Sequence, residues 1–236
     1  MNSHVAHTKV VIAIDGPAGA GKSTIAKLLA QRLNILYLDT GAMYRALTWR
    51  ALQDGIAISS EHELADLFRK MKMEVILSAE GQRILVDGID TTPYLRLKQV
   101  SELVSPLSAH GEVRKIMVEK QREMAEKGGI VLDGRDIGTV VLPKAPLKIF
   151  LTATLEERTR RRMLDFQELG VEIDFETLKN EISTRDARDS SRQHAPLQQA
   201  NDAIFIDSTE MTAEEVAAKI EELCFQRGLM REENGL

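Results

Sequence analysis

Five short apolar runs divide the chain, and each is nearly continuous rather than alternating with polar residues. Strands of this composition are buried on both faces, which is typical of a parallel sheet covered by helices. The pattern therefore predicts five strands, at 9–15, 35–39, 130–133, 147–151 and 203–206.

Helices are predicted where apolar residues recur at spacings of three and four. Strands interleaved with such helices predict a single α/β domain, in which helices flank a five-stranded parallel sheet. The six clearest helical segments are 22–33, 42–52, 112–126, 156–169, 175–188 and 213–225.

The alternation of strands and helices breaks between 59 and 106. Two runs with alternating apolar residues, 73–77 and 83–87, flank the turn Ser78-Ala79-Glu80-Gly81 and predict a small hairpin. We interpret 59–106 as a lobe inserted into the core of the domain.

The core is then expected to comprise 9–58 and 107–227. Within its second part, the segment 158–192 is helical on both sides of a break at Gly170 and is far more charged than its surroundings. That composition predicts a short helical lid.

The composition is that of a folded globular protein, with 236 residues of which 43% are hydrophobic and 28% charged. No run approaches the roughly 18 to 20 apolar residues of a membrane helix, and the first residues lack the pattern of a signal peptide. We therefore expect a cytosolic protein without membrane contact. The single cysteine, Cys224, excludes an intrachain disulfide and a cysteine metal cluster.

The formal charge of −5 and the pI near 5.7 argue against a surface for nucleic-acid polymers. Arginine nevertheless outnumbers lysine by 18 to 13. Because the guanidinium fork matches a phosphate or carboxylate with two hydrogen bonds, the positions of the arginines are more informative than the net charge.

Residues 16–23 read GPAGAGKS and match the phosphate-binding pattern GxxxxGK[ST] between the first predicted strand and the first predicted helix. Glycines let backbone N–H groups reach phosphate oxygens, and the helix N-terminus adds partial positive charge. Lys22 is predicted to bridge the β- and γ-phosphates of a nucleoside triphosphate and Ser23 to ligate Mg²⁺. A glycine-rich turn without a ligand is the alternative. The predicted ATP-binding residues are Gly16, Pro17, Ala18, Gly19, Ala20, Gly21, Lys22, Ser23 and Thr24.

A bound triphosphate is compatible with a switch GTPase, a mechanical ATPase or a small-molecule kinase. A GTPase normally carries an NKxD motif that reads guanine, and no Asn-Lys pair occurs in the chain. Residues elsewhere in the chain must therefore decide what happens to the triphosphate.

The second predicted strand ends in LDTGAMYR, residues 38–45, where the next helix begins. Ligands of parallel α/β sheets bind at the carboxyl ends of strands, so Thr40 and Arg45 are candidates for contacting a second substrate. The alternative is that Asp39 or Thr40 only caps the helix and Arg45 is solvated.

The strand predicted at 130–133 is followed by the sequence GRDIG and ends at the same edge. Asp133 is predicted to order Mg²⁺ through water, with Arg135 close behind it. A simple Asp-Gly turn at the strand end is the alternative.

A third cluster lies near the end of the predicted lid. Arg185, Arg188 and Arg192 are spaced by three and four residues, which places them on one helix face with Asp189 nearby. A solvated ladder of ion pairs is the alternative. Three arginine-bearing segments together nevertheless indicate a phosphate site more specifically than any one of them.

These segments resemble the bacterial cytidylate kinases, the CMP and dCMP kinases of the nucleoside monophosphate kinase group. The resemblance implies a P-loop NTPase-type fold with an inserted NMP-binding lobe and a short helical lid. It also implies a monomer that phosphorylates CMP and dCMP with ATP and Mg²⁺. The likeness runs from about 10 to 208, through IDGPAGAGKST, LDTGAMYR, VSPLSAHGEVRKIMVEKQR, DGRDIGTVV, PLKIFL, RDARDSSRQHAPL and FIDST.

The resemblance further implies which residues bind CMP. Those expected to hold its phosphate are Arg45, Arg135 and Arg192. Those expected to contact its sugar are Arg185 and Asp189, and Thr40 is expected to line the same pocket. Those expected to read its base are Ser105, Arg114 and Asp136.

The chemistry of cytosine agrees with the base assignment. Cytosine presents an amino donor at N4 and acceptors at N3 and O2, so a carboxylate can accept from N4 while Arg and Ser donate. Uracil reverses the donor and acceptor at the N4 and N3 positions, so Asp136 is predicted to select cytosine.

The arginine-rich cluster 158–162 is flanked by Glu156, Glu157 and Asp165. A nucleic-acid patch is one interpretation, but the flanking acids argue against it. In the family that the chain resembles, such arginines lie over the triphosphate after closure. The predicted catalytic residues are therefore Lys22 and, in the lid, Arg158, Arg161 and Arg162.

Two functions of other classes remain open: a P-loop kinase for a non-nucleotide metabolite, and a nucleotide-binding regulatory protein without chemistry. The five histidines are scattered without the spacing of metal ligands, so no metal is assigned to histidine.

Overall fold

The computed structural model describes residues 10–78, 81–168 and 170–230. The strands in these residues are β1 Val11–Asp15, β2 Leu36–Asp39, β3 Met73–Ser78, β4 Gly81–Val86, β5 Ile89–Asp90, β6 Ile130–Gly134, β7 Leu147–Thr152 and β8 Ile204–Asp207. The helices are α1 Lys22–Leu33, α2 Thr40–Gln53, α3 Glu61–Lys70, α4 Lys98–Leu107, α5 Gly111–Ala125, α6 Leu155–Glu168, α7 Phe175–Ser190 and α8 Ala213–Gln226.

Five parallel strands form the main sheet in the order β2-β6-β1-β7-β8. This order puts β6 beside β1, with Asp133 level with Ile14 and Gly134 level with Asp15. The five-stranded parallel sheet flanked by helices is therefore confirmed. Its strands end on one edge, and the segments that follow β1, β2 and β6 meet there.

A second sheet of three antiparallel strands has the order β3-β4-β5 and contains the predicted hairpin. Residues 79 and 80 of the predicted turn lie outside the described residues. Helices α3 and α4 were not predicted. Each carries a short buried stripe: Leu64, Ala65 and Phe68 in α3, and Val100, Val104 and Leu107 in α4.

The six predicted helices are confirmed as α1, α2, α5, α6, α7 and α8, with shifts of one or two residues at most ends. Shifts of two residues occur at the start of α2, which begins at Thr40 rather than at 42, and at the end of α7, which lies at Ser190 rather than at 188. The helix end predicted at 169 lies outside the described residues. The carboxylate of Asp39 accepts from the backbone N–H of Ala42 and caps the earlier start of α2.

Two apolar layers cover the main sheet. On one face, α1 and α8 bury residues such as Leu29, Leu33 and Ile220 against β1 and β7. On the other face, α2 and α5 share one continuous core with the three-stranded sheet. Each fully buried aliphatic side chain stabilises the fold by about 1.5–3 kcal/mol relative to exposure, so the small sheet is anchored to the core by packing.

The lid helices α6 and α7 have a smaller apolar cluster of their own. In it, Leu178 and Ile182 of α7 are buried together with Ala18, which belongs to the loop after β1. Among the described residues, no helix is long and apolar enough to cross a membrane.

Candidate active site

The loop after β1 has a backbone that only glycine permits at its first position. Gly16 has φ of +151°, and a Cβ built on it would lie 1.9 Å from the carbonyl oxygen of Leu151. Gly19, at φ of +76°, would place a Cβ 2.9 Å from the carbonyl oxygen of Arg158. The loop is therefore packed tightly against β7 and α6.

Helix α1 begins directly after this loop. Its N-cap residue, Gly21, offers no side chain to bond the first N–H groups of the helix. These N–H groups and the partial positive charge of the helix end are therefore directed at the loop, as an anion site requires. Thr24 lies exposed in the first turn of α1.

Lys22 is buried at the start of α1, and its ammonium group lies across the loop. Its Nζ donates to the carbonyl oxygen of Pro17 at 2.7 Å. Burial lowers the pKa of Lys22, and the charge of Arg135 adds to this effect. The lysine is thus a desolvated cation held at the phosphate loop.

Asp133, at the end of β6, accepts hydrogen bonds with both carboxylate oxygens. The hydroxyl of Ser23 donates to Oδ2 and that of Tyr37 donates to Oδ1, each at 2.9 Å. The hydroxyl of Thr40 donates to the backbone carbonyl oxygen of Asp133 at 2.7 Å. Burial, followed by the charge of Asp39, raises the pKa of the Asp133 carboxyl.

The donor atoms at this junction fit a magnesium ion. Mg²⁺ prefers oxygen ligands and is usually held by one or two carboxylates together with substrate phosphates. The hydroxyl of Ser23 and the carboxylate of Asp133 supply oxygens beside the loop. Among the described residues, no group of three or more His, Cys, Asp and Glu side chains could hold a metal ion.

At the start of α2, Asp39 both caps the helix and pairs with Arg45. Its Oδ2 accepts from Nη2 of Arg45 at 2.7 Å, and both side chains are less than a quarter exposed. Arg45 is therefore held at the sheet edge rather than freely solvated. The side chain of Gln82 in β4 pairs with the backbone of Asp39, accepting from its N–H at 2.8 Å and donating to its carbonyl at 2.9 Å.

Asp189 in α7 gathers three of the predicted acceptor residues. Its carboxylate is 1% exposed and accepts from Nε of Arg135 at 2.9 Å, from Nη2 of Arg192 and from the hydroxyl of Ser105 at 3.0 Å. Burial alone would raise the pKa of Asp189, but Arg135 and Arg192 outweigh it and hold the pKa below its usual range.

Arg185 lies one turn before Asp189 on the same helix. Its Nε is 4.0 Å from Oδ2 of Asp189 and has no hydrogen-bond partner among the described residues. Desolvation, and then the charge of Arg135, lowers the pKa of Arg185 to about 10, so the group remains a cation at neutral pH. The side chain of Arg185 is 35% exposed, but its Nε is buried and, within the described part of the chain, unbonded, so this guanidinium can still donate to an anionic or hydroxyl-bearing ligand.

Arg114 and Asp136 form a buried ion pair, with each side chain less than one-tenth exposed. Arg114 also donates to the carbonyl oxygen of Ser108 at 2.9 Å. Its guanidinium lies 5.7 Å from the ring centroid of Tyr44, whose buried hydroxyl has no partner among the described residues. Of the predicted base readers, Arg114 and Asp136 are in contact, while Ser105 lies in the Asp189 cluster.

The three predicted lid arginines have different surroundings. Arg158 is buried and donates to the carbonyl oxygens of Ala153 and Ala18, each at 3.0 Å. Arg161 donates to the hydroxyl and the carbonyl oxygen of Ser208, at 3.0 and 2.6 Å. Arg162 is 41% exposed and pairs with Asp165. Arg158 is therefore hydrogen-bonded to the phosphate loop at Ala18, while Nη1 of Arg161 lies 3.7 Å from where a Cβ on Gly21 would be.

Four residues that the sequence interpretation did not assign also shape the site. Asp15, at the end of β1, accepts from the N–H groups of Ile137 and Gly138, each at 2.7 Å, and so holds the turn that carries Asp136. For Asp15, the signal available in the sequence was an acidic residue ending an apolar strand directly before the glycine-rich loop. The other three unassigned residues are Tyr37, Gln82 and Asp186.

The sheet, the glycine loop at the end of its central strand and the cationic side chains facing that loop define a P-loop kinase. A family model described as cytidylate kinase matches residues 12–226. The chain belongs to the cytidylate kinase family.

The sequence similarity to known cytidylate kinases extends over nearly the whole chain. A cytidylate kinase of Enterococcus faecalis is 51% identical over 220 residues, which cover 93% of this chain and 97% of the relative. A cytidylate kinase of Geobacillus thermodenitrificans is 52% identical over 219 residues, which cover 93% and 98%. Among solved structures, an uncharacterized protein from Eubacterium ventriosum has a TM-score of 0.54 at 17% identity, covering 92% of this chain and 99% of that one, a likeness of fold.

Proposed function

We propose that this protein transfers the γ-phosphoryl group of ATP to the phosphate of CMP or dCMP, giving ADP and CDP or dCDP. The observation that carries the proposal is the cluster in which Asp189 gathers Arg135, Arg192 and Ser105. The charge of Arg135 also contributes to lowering the pKa of Lys22 in the phosphate loop. A kinase of a nucleotide needs a second phosphate site of this kind opposite the first.

The reaction needs no protein nucleophile. An oxygen of the CMP phosphate forms a bond to the γ-phosphorus, and the bond from that phosphorus to the bridging oxygen of ADP breaks. At neutral pH the attacking phosphate is largely dianionic, so no proton has to be removed first. The transition state is loose and spreads negative charge over the transferred group, so positioning and charge neutralisation are the main tasks of the protein.

On the donor side, backbone N–H groups within residues 16–24 would bind the ATP phosphates, and Lys22 would lie between the β- and γ-phosphates. Pro17 has no N–H group, and that of Ala18 is bonded to Asp186. Ser23 would ligate Mg²⁺ directly, and Asp133 would hold it through water. When bound, Mg²⁺ would neutralise charge between the β- and γ-phosphates.

On the acceptor side, Arg45, Arg135 and Arg192 would hold the phosphate of CMP. Arg185 and Asp189 would contact the sugar, and Thr40 would line the pocket. The base readers would be Ser105, Arg114 and Asp136. The buried Arg114–Asp136 pair supports this assignment, because a fixed donor beside a fixed acceptor can distinguish cytosine from uracil.

The lid would complete the site above the triphosphate. Arg158, Arg161 or Arg162 would stabilise charge on the transferring phosphoryl group, and Arg158 is favoured because it already lies on the loop. Closure would also keep water from the γ-phosphate, so hydrolysis of ATP without an acceptor should be slow.

An assay of ADP release with ATP, Mg²⁺ and a panel of acceptors tests the proposal. We expect CMP and dCMP to accelerate ADP release strongly, UMP and AMP weakly, and shikimate and gluconate not at all. Acceleration by shikimate or gluconate alone would indicate a metabolite kinase, and no acceleration by any acceptor would indicate a binding protein. Either result, or rapid ATP hydrolysis without CMP, would contradict the proposal.

We further propose that the protein acts as a monomer, as its resemblance to the cytidylate kinases implies. Sedimentation at the enzyme concentration of the assay checks this.

A further inference from the structure

Helix α7 touches both halves of the candidate site. Arg185 and Asp189, four residues apart, lie on the face directed at the acceptor cluster. Asp186 follows Arg185 by one position, about 100° further around the helix, and its carboxylate reaches the donor loop instead. A single helix therefore contacts the loop and the acceptor residues through adjacent side chains.

The contact of Asp186 with the loop involves three groups that are hydrogen-bonded to one another: the carboxylate of Asp186, the guanidinium of Arg158 and the backbone of Ala18. Oδ1 of Asp186 accepts from the backbone N–H of Ala18 at 3.0 Å, and Oδ2 accepts from Nη1 of Arg158. The same Nη1 donates to the carbonyl oxygen of Ala18 at 3.0 Å. Both polar groups of Ala18 are thus bonded to one ion pair, which bridges the two lid helices.

Apolar packing supports the same contact. The side chain of Ala18 is buried against Leu178 and Ile182, which lie two turns and one turn before Asp186 on α7. The side chains of Arg158 and Asp186 are only 10% and 19% exposed, so their attraction is screened little by water.

A carboxylate beside a phosphate loop has an evident cost, because it repels the triphosphate. Pairing with Arg158 offsets the charge of Asp186 and at the same time limits how that guanidinium can move. Nε of Arg158 donates to the carbonyl oxygen of Ala153, and Nη1 donates to the carbonyl oxygen of Ala18 and to the carboxylate of Asp186. The Nη2 group is then left to donate to another partner, in a direction fixed by the other three bonds.

We propose that Asp186 is a positioning residue for phosphoryl transfer: it attaches α7 to the third residue of the donor loop and orients Arg158 toward the transferred group. This inference rests on the proposed function, since it assumes that phosphoryl transfer takes place at this loop. It predicts that Asp186 affects the rate of the chemical step more than the binding of CMP.

The test compares Asp186→Asn with wild type, and uses Glu156→Gln as the matched control. Glu156 pairs with Lys179 at 2.7 Å and so joins the same two helices, but this pair does not touch the loop. Asparagine keeps the shape of the side chain and an oxygen for Ala18, while it loses the charge that holds Arg158. Phosphoryl transfer is measured in a single turnover with CMP, alongside KM for CMP and the melting temperature.

For Asp186→Asn we expect transfer to slow by about 10- to 100-fold, as for a misplaced catalytic group. KM for CMP should stay within about threefold. The melting temperature should fall, because Arg158 loses its charged partner in a site that is little exposed, but the variant should remain folded at the temperature of the assay. Asp186→Ala, which loses both bonds, should be slower still and should release a larger share of ADP without CMP. Glu156→Gln should stay within about twofold of wild type.

The inference is wrong if Asp186→Asn transfers phosphate within twofold of wild type, or if its loss equals that of Glu156→Gln. It is also wrong if the change appears only in KM for CMP or follows a loss of folding. These outcomes differ from failure of the proposed function, which would show as a wild-type protein inactive on CMP. If another acceptor proves to be the substrate, the same comparison is made with that acceptor.

Discussion

The donor loop and the acceptor side of this protein are built in different ways. The donor loop is one continuous segment, 16–24, whose binding groups are backbone N–H groups and one lysine. The proposed acceptor side is assembled from side chains of four helices, of the turn after β6 and of the segment after α7, which carries Arg192. Its centre is a buried carboxylate, Asp189, that holds Arg135 and Arg192.

The difference follows from what each half has to recognise. Phosphate oxygens are alike in every triphosphate, so backbone N–H groups and a cation are sufficient. A base must be distinguished from similar bases, and only side chains with fixed donors and acceptors can do this. Generic recognition can therefore be local in sequence, while selective recognition depends on the tertiary fold.

The largest expected effect comes from removing the one charged side chain of the donor loop. In Lys22→Ala, the cation beside Pro17 is lost while the backbone of the loop remains. Loss of charge stabilisation of this kind lowers kcat by about 100- to 1,000-fold. Steady-state kinetics with CMP checks this, and Lys27→Ala, an exposed lysine on the same helix, serves as control. A Lys22→Ala enzyme with near-normal kcat would remove the lysine from the mechanism.

On the acceptor side, the next largest effect should be on selectivity. Asp136→Asn replaces an acceptor by a group that can donate, so the ratio of kcat/KM for CMP to that for UMP should fall by about tenfold to several hundredfold. The ratio is measured with both nucleotides at equal enzyme concentration. An unchanged ratio would take Asp136 out of the base pocket.

The Arg114–Asp136 pair refines how this prediction should be tested. Asp136→Ala should also abolish selectivity, but it leaves Arg114 as an unpaired charge in a buried site. Breaking a buried pair costs about 3–5 kcal/mol of stability. The free energy of unfolding of both variants therefore has to be measured, so that loss of folding is not mistaken for loss of selectivity.

The same contrast explains what the sequence alone could predict. The loop and α1 were predicted to the residue, because glycine spacing and helical periodicity are local signals. Helix α4 was not predicted, since its apolar stripe is short and Pro106 lies in its last turn. Helix α3 has only three buried residues and precedes a hairpin whose alternation dominates the segment.

Contacts between distant segments could be predicted only through resemblance. Arg185, Asp189 and Arg192 share a spacing that a solvated ion-pair ladder would also have, and nothing local separates the two interpretations. Asp186 bonds to Ala18 across 168 positions of sequence. In the sequence it differs in no evident way from the other acids of the lid.

A smaller effect is expected where the three-stranded sheet meets the acceptor side. Gln82→Ala removes the two hydrogen bonds to the backbone of Asp39, which in turn holds Arg45. At about 1 kcal/mol for each bond, the two bonds together correspond to at most about 30-fold in affinity. Because they act on Arg45 only through Asp39, we expect KM for CMP to rise about 3- to 10-fold, while KM for ATP stays unchanged. The control is Arg83→Ala, because Arg83 is the next residue of β4 and pairs with Asp90 at the surface. An equal rise in KM for ATP would mean that the donor loop and the acceptor side do not bind their substrates independently.

The last effect is on stability rather than on catalysis and concerns Asp15, which belongs to the donor strand and yet holds the turn of the acceptor side. Burial, the largest cause, raises the pKa of Asp15 to about 7 in the folded protein, whereas an unfolded aspartate has a pKa of about 3.9. Between these values the folded protein retains a proton that the unfolded chain has released. The free energy of unfolding should therefore fall as the pH rises from about 4 to about 7.

Asp15→Asn removes this titration, since its amide does not ionise. It also presents an NH₂ group, which cannot accept, where wild type has an oxygen facing each of the N–H groups of Ile137 and Gly138, so the variant should be less stable than wild type at pH 4. The gap should narrow towards pH 7 with a slope of up to about 1.4 kcal/mol per pH unit. Denaturant unfolding of both proteins at several pH values measures it. If the difference in the free energy of unfolding between wild type and Asp15→Asn does not change with pH, Asp15 stays ionised in the folded protein. The turn of the acceptor side is then held by a carboxylate throughout this pH range.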